Sequence, residues 1–279
     1  MPTVDLLTFG GGMMRYRRAV HRFTKEAAAS RVFSTIRGFT DISVRKQFPD
    51  FFDRHAAILR WNVRGFGYWI WKPFLIRKAI AASKADFVLY SDAGCTLNLR
   101  SPAQQRRLQD YCAWADAHGL LAFQVQFRER AFCKRDTAHR FGLTDAQLDS
   151  GQYMATVTLF KNTKNCEHFV GEWYDIMAED NYRYCNDDLC KQSEDVSFVD
   201  HRHDQAVFSC LVKRAGLPGL PDETWFGPEW PDAARTSPIW APRHYSCCPF
   251  QPGKPLSLLR RCELFADRLE GKALKYIRP

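Results

Sequence analysis

Apolar and polar positions in this chain follow two periods that alternate along its length. Val4–Phe9 is a short apolar run closed by Gly10, Gly11 and Gly12, which predicts a strand followed by a tight turn. Met13, Tyr16, Val20, Phe23 and Ala27 then recur at spacings of three and four, the mark of one helix face. Val32–Phe39 reads as a second strand and Phe48–Leu59, with Pro49 near its start, as a helix. Pro73 stands where a first helical residue would, opening a helix over Pro73–Ser83. Phe87–Tyr90 is a compact buried strand, and Ser101-Pro102 opens a helix that runs to Gly119. Leu120–Phe127 and Tyr153–Phe160 read as strands. Cys166–Met177 and Asp204–Ala215 read as helices, the latter closed by Gly216.

Strands alternating with helices of this length predict an α/β fold, a single domain with a mixed, mainly parallel sheet. Pro218–Pro255 is rich in Pro and Trp and mostly irregular, and an irregular stretch of that length is more often functional than idle. After it, Leu258, Cys262, Phe265, Leu269, Ala273 and Tyr276 form one more helical stripe among basic residues. The expected organisation is a catalytic domain over residues 1–255 and a basic amphipathic helix over 256–279.

The chain has 279 residues, 46% apolar and 25% charged, so it can bury a sizeable core and is neither disordered nor a coiled coil. No stretch approaches the roughly 18 consecutive apolar residues of a membrane span, and MPTVDLLTFGGG has no basic region ahead of an apolar one, unlike a signal peptide. Ten cysteines form no CxxC pair, which favours a reduced, cytoplasmic setting over a disulfide framework. One zinc-like arrangement, Cys185 and Cys190 with His201 and His203, has spacings that fit the usual patterns poorly. The net charge of +9 is uneven. Residues 1–80 hold 15 Lys/Arg against 5 Asp/Glu, and the C-terminal 26 residues hold 7 against 3. A basic N-terminal part points to an anionic ligand: a nucleotide, a nucleic acid or a membrane surface.

The chemistry concentrates in Gly65-Phe66-Gly67-Tyr68-Trp69-Ile70-Trp71-Lys72-Pro73 and, after a helix, Tyr90-Ser91-Asp92-Ala93-Gly94. An apolar strand delivers one carboxylate at its C-terminal end, where open α/β sheets bind ligands. The two segments together resemble glycosyltransferases of the glycosyltransferase-A fold from polysaccharide-synthesis clusters. In that family a GYWxWKP stretch precedes a YxDAG strand end related to the Asp-x-Asp motif. Ser150-Gly151-Gln152 and His201-Arg202-His203-Asp204-Gln205 extend the resemblance over Val4 to Gly216, and the chain departs from the full motif at Gly94.

The resemblance implies that Asp92 holds Mn²⁺ or Mg²⁺ against a donor diphosphate, with His244 a further metal ligand. It implies a nucleotide pocket shaped by Thr8, Phe9, Gly10 and Ser91, with Arg64 or Lys72 answering phosphate charge. Asp204 and Gln205 become the catalytic pair, although Asp204 also stands where a helix-capping residue would. Trp225, Trp230 and Trp240 could stack on sugars or anchor the long loop. The expected activity is transfer of a sugar, hexosyltransferase-like, from a nucleotide-sugar donor to a glycan or lipid-linked acceptor. The donor reads as a UDP-sugar and the stereochemistry as retaining. The C-terminal helix would give peripheral membrane contact on the inner face, and no nucleic acid is expected as a partner. Two other readings stand beside this one: a nucleic-acid-binding protein, and a catalytically inactive carbohydrate-binding relative.

Overall fold

Runs of apolar residues too short for helices become the strands. The computed structural model describes residues 2–61, 64–190, 193–224, 232–248, 250 and 257–277. Strand β1 (Val4–Phe9) is buried throughout and pairs in parallel with β2 (Thr35–Phe39), Asp5 opposite Thr35 and Phe9 opposite Phe39. Strand β3 (Phe87–Ser91) is buried on both faces, as expected of a strand covered on each side. β4 is Thr96–Leu97, β5 Leu120–Arg128, β6 Gly151–Lys161, β7 Leu220–Pro221 and β8 Ile239–Trp240. β5 runs antiparallel to β6 and parallel to β7, and β4 pairs antiparallel with β8. Six strands form one sheet in the order β2-β1-β3-β6-β5-β7. The fold is α/β with a mixed, mainly parallel sheet.

The longer helices are α1 (Met14–Ser30), α2 (Trp71–Ala82), α3 (Pro102–His118), α4 (Lys164–Ala178), α5 (His203–Arg214) and α6 (Leu258–Ile277). On α1, Val20, Phe23 and Ala27 of the predicted stripe are buried together with Ala19, while Met13 and Tyr16 are half-buried. α3 starts at a capping box, with Ser101 N–H donating to Gln104 Oε1 at 2.8 Å. The segment read as one helix over Phe48–Leu59 is two short helices, Pro49–Arg54 and Ala56–Leu59, hinged at His55, with another over Asp41–Gln47 before them. The Gly65–Trp69 segment leads into α2 through consecutive left-handed residues: Gly65 (φ 66°), Phe66 (55°), Gly67 (82°), Tyr68 (53°) and Trp69 (61°). Each non-glycine residue held there costs about 1–2 kcal/mol, so surrounding packing must over-determine the turn.

The chain divides into two compact units. The first comprises Met1–Val4, Tyr68–Tyr90 and Leu108–Glu223; its core includes fully buried Trp173 of α4 packed 4.8 Å from Phe208 of α5. The second comprises Asp5–Gly67, Ser91–Arg107 and Thr224–Pro279.

Within the second unit α6 lies against α1 by its acidic side. Arg18 pairs with Asp267 at 2.5 Å and with Glu263 at 3.6 Å, and the Met14 backbone N–H donates to Glu270 at 3.0 Å. Burial pushes the Glu263 pKa up, but hydrogen bonds from Ser246 and Cys247 and the Arg18 charge outweigh it and hold the pKa at about 2. The apolar stripe read from the sequence is therefore not the packing face. Charge pairing with α1 decides which side turns inward.

Candidate functional site

The second unit carries both residues expected to hold a metal. β3 ends at Ser91, and Asp92 follows at the strand end. The chain then turns, with Cys95 N–H donating to Asp92 O at 2.9 Å. His244 belongs to a distant stretch of sequence, yet its backbone N–H donates to Gly94 O at 2.8 Å. The two loops are clamped by Arg22, which is 2% exposed on the inner face of α1. Its guanidinium donates to the carbonyls of Ala93 (2.8 Å), Cys95 (2.7 Å), His244 (3.0 Å) and Ser246 (3.1 Å). It also donates to Thr96 Oγ1 at 3.2 Å and Glu26 Oε1 at 2.7 Å. A rigid, five-donor fork satisfies these converging acceptors in a way lysine could not.

His244 is tuned by the same environment. Its Nε2 lies 2.8 Å from Cys248 O, which can only accept, so Nε2 carries the proton. Burial lowers its pKa, with Arg22 adding to the effect, so the ring is neutral and Nδ1 keeps its lone pair. A histidine whose second nitrogen donates to a backbone carbonyl is the usual form of a metal ligand.

Gly94 has a structural cause. A Cβ there would lie 2.6 Å from Tyr245 Cε1 and 3.0 Å from its Cζ. Tyr245 packs edge-on against Tyr16 at 5.0 Å and against the buried Ala19, Val20 and Ala93. Burial, followed by the negative charge of Asp92, raises the Tyr245 pKa, so the phenol stays neutral. A second carboxylate two residues after Asp92 has no room.

Of the residues expected around the nucleotide, Thr8, Phe9, Gly10, Ser91 and Arg64 lie in the same unit, whereas Lys72 lies in the first, buried against Asp204 rather than displayed to a phosphate. Thr8 is fully buried, and among the described residues its hydroxyl has no hydrogen-bond partner. Phe9 stacks on Phe66 at 6.0 Å. Gly10 donates to Phe39 O at 3.0 Å, and a Cβ there would meet Tyr16 O at 2.4 Å, so only glycine lets α1 start this close to β1. Ser91 is buried and Arg64 is exposed. Arg17, Arg18 and Arg37 pair with Asp41, Asp267 and Asp5, so three of the fifteen N-terminal cations are met internally.

The first unit holds the other group. Lys72 of α2 and Asp204 of α5 form an ion pair at 2.6 Å, both buried, and Lys72 Nζ also donates to Ala155 O at 3.1 Å. Arg202, not Asp204, is the N-cap residue; Asp204 lies in the first turn of α5 with its carboxylate turned to Lys72. His201 and His203 are both buried. Tyr68 and Trp69, at the end of the left-handed turn, both stack on His203, at 5.6 and 5.2 Å.

Gln205 donates from Nε2 to Gln152 Oε1 at 2.9 Å, and Gln152 donates from Nε2 to Glu129 Oε1 at 2.7 Å. Glu129 also accepts from Ser209 Oγ and pairs with Lys213 at 2.9 Å. A carboxylate paired with a lysine can only accept, so it sets the direction of both amides. The Gln205 carbonyl oxygen is left uncommitted to Gln152.

Among the described residues, Glu129, Cys133 and Cys210 form the one group of three side chains whose ligand atoms lie within 4.8 Å of one another. Lys213 already supplies a cation to Glu129, and burial raises both thiol pKa values, which disfavours a metal there. The zinc-like set is not assembled. Cys185 Sγ donates to Met177 O, Cys190 Sγ bonds to Glu194, and His201 Nδ1 accepts from Lys134 N–H. Trp240 anchors its loop by donating to Ala234 O at 2.7 Å, while Trp225 and Trp230 lie outside the described residues. Arg22, Tyr245, Gln152 and Glu129 were not singled out for these roles from sequence. Of these, Gln152 is the one with a trace in the sequence, as part of Ser150-Gly151-Gln152.

No family model matches the chain, and no curated protein matches it. Among solved structures, it is similar to a glycosyltransferase involved in the glycosylation of the major capsid of PBCV-1, at 10% identity and TM-score 0.45, over 96% of this chain and 100% of that one. It is also similar to mouse xyloside xylosyltransferase 1 in its apo form (12%, TM-score 0.42, 91% and 100%). A third likeness is to the galactosyltransferase LgtC in complex with donor and acceptor sugar analogues (15%, TM-score 0.42, 96% and 95%).

Proposed function

We propose that the chain is a glycosyltransferase that moves a sugar from a nucleotide-sugar donor, a UDP-sugar with retention of configuration, to a glycan or lipid-linked acceptor. The observation behind this reading is the Arg22 clamp, which binds the Asp92 strand-end loop to the His244 loop. Asp92 and a neutral His244 are a suitable donor pair for Mn²⁺ or Mg²⁺, leaving most of the metal's shell to oxygens from outside the protein. Such a metal would stabilise the departing nucleotide diphosphate as a Lewis acid. β1 and its glycine turn border the nucleotide in this reading, with Thr8, Phe9, Gly10, Ser91 and Arg64 contributing.

Asp204 and Gln205 of the first unit are the proposed catalytic pair. Lys72 holds the Asp204 carboxylate at a defined place, and the Glu129–Gln152 chain aims Gln205 so that its carbonyl oxygen can accept from a sugar hydroxyl or face a developing positive charge. A cytoplasmic setting completes the proposal; among the described residues no helix is long and apolar enough to cross a membrane.

The test is Asp92→Asn, which keeps size and removes charge. Turnover of UDP-sugars with Mn²⁺ should fall at least about 100-fold, and the Mn²⁺-dependent thermal shift by UDP should vanish while the fold persists by circular dichroism. Near-unchanged turnover in the folded variant would reduce Asp92 to a turn residue.

A further inference from the structure

Helix α6 turns its apolar side to solvent. Leu258 is 78% exposed, Leu259 50%, Phe265 64% and Leu269 53%, with Cys262 exposed between them. At 100° per residue, Leu258, Cys262, Phe265 and Leu269 fall within one narrow stripe. The helix's three acids lie on the other side: Glu263 and Asp267 are buried against α1, and Glu270 is bonded to the Met14 N–H. Arg260 is tied to Glu263 at 3.4 Å. Among residues 258–271 of α6, the charged groups left on the outward side are Arg261 and Arg268, both exposed and both on one flank of the stripe. Over residues 258–271, a helix whose composition mixes both signs therefore presents an outward face that is apolar and cationic.

We propose that this face docks on an anionic lipid surface, the stripe entering the headgroup boundary and the arginines meeting lipid phosphates and carboxylates. Two arguments favour this occupant. The sorting of charge leaves nothing outward that an anionic surface would repel, while the acids that would repel it are neutralised by α1. The four large side chains expose on the order of 400 Å², about half of what each side of a standard stable protein interface buries. That area suits shallow insertion of an amphipathic helix lying in the interface plane. The proposal is independent of the sugar-transfer reading, since it uses neither Asp92 nor Asp204.

The test is co-sedimentation of the full chain with vesicles of phosphatidylcholine alone and of phosphatidylcholine with phosphatidylserine, at low and at high salt. The chain should pellet with the phosphatidylserine vesicles at low salt, be released at high salt, and bind neutral vesicles about tenfold less or weaker. Phe265→Glu/Leu269→Glu should lose binding about tenfold or more, and Arg261→Glu/Arg268→Glu should lose the preference for phosphatidylserine. All four side chains are exposed, so circular dichroism and the melting temperature should be unchanged. Failure of the unaltered chain to pellet with anionic vesicles would overturn the proposal, as would unaltered binding by the folded variants. Concentration-dependent dimerisation, abolished by Phe265→Glu/Leu269→Glu with no vesicle binding, would instead assign the face to a second copy of the chain and overturn it equally.

Discussion

The Lys72–Asp204 pair gives the sharpest energetic test of the first unit. Asp204→Asn takes the negative charge from a buried ammonium that also donates to Ala155 O at 3.1 Å and lies 5.3 Å from the Tyr90 ring. Breaking a buried ion pair by removing one partner costs about 3–5 kcal/mol. Asn can still accept from Lys72, so we expect about 3 kcal/mol, or roughly 6–12 °C in melting temperature for a chain of this size. Lys72→Met strands the carboxylate and should cost about the same. Removing both charges together leaves nothing uncompensated, and the double variant should lose no more than about 2 kcal/mol. The double-mutant cycle thus returns a coupling of about 4 kcal/mol. Urea unfolding of the four proteins, followed by far-ultraviolet circular dichroism, measures it. If Asp204→Asn costs less than about 1 kcal/mol, and the same in the Lys72→Met background, the carboxylate serves only the helix start and the pairing argument fails.

Three further outcomes are expected. Arg22→Met removes the donors to four carbonyls and should cost at least about 4 kcal/mol; Arg22→Lys should recover only part of it, and both should weaken the Mn²⁺-dependent thermal shift by UDP. His55, 1% exposed, has its pKa lowered to about 4 by burial, with a smaller push from Arg54. Since the unfolded value lies near 6.5, stability contributed by the neutral ring is complete above that pH and is lost as pH falls towards 4. Up to about 2 kcal/mol should disappear by pH 5, and urea midpoints of His55→Gln should show a correspondingly flatter slope. Gly94→Ala should cost about 1–3 kcal/mol through the clash with Tyr245, and Tyr245→Val should remove most of that increment; an equal penalty in both backgrounds would place the strain elsewhere.

The parts of this molecule legible in its sequence are those written in one-dimensional periodicity. Buried runs such as Val4–Phe9 and Phe87–Tyr90 could be little but strands, and the α1 stripe announced its inner face. The strand-end Asp92 and the Asp204-Gln205 helix start were visible as residue types in the right local setting. What could not be read was set by contacts distant in sequence. Arg22 looks like one more basic residue until two loops converge on it. The left-handed turn shows only Gly65 and Gly67 as signals, whereas Phe66, Tyr68 and Trp69 share the conformation without any. On α6 the apolar stripe was visible, but which side packs was settled by Arg18 and the Met14 N–H of α1, far away in the chain.

The contact between Gly94 and Tyr245 also constrains how this chain can change over generations. A second acid at position 94 is a single codon's work in principle, yet it would enter a space filled by an aromatic ring. Shrinking Tyr245 first opens that space at the expense of its packing with Tyr16 and the α1 face. Either order passes through a less stable intermediate, so the two positions are epistatic. Lineages holding the tyrosine are thereby confined to a single strand-end carboxylate, and selection on metal use in them must act through the residues around His244.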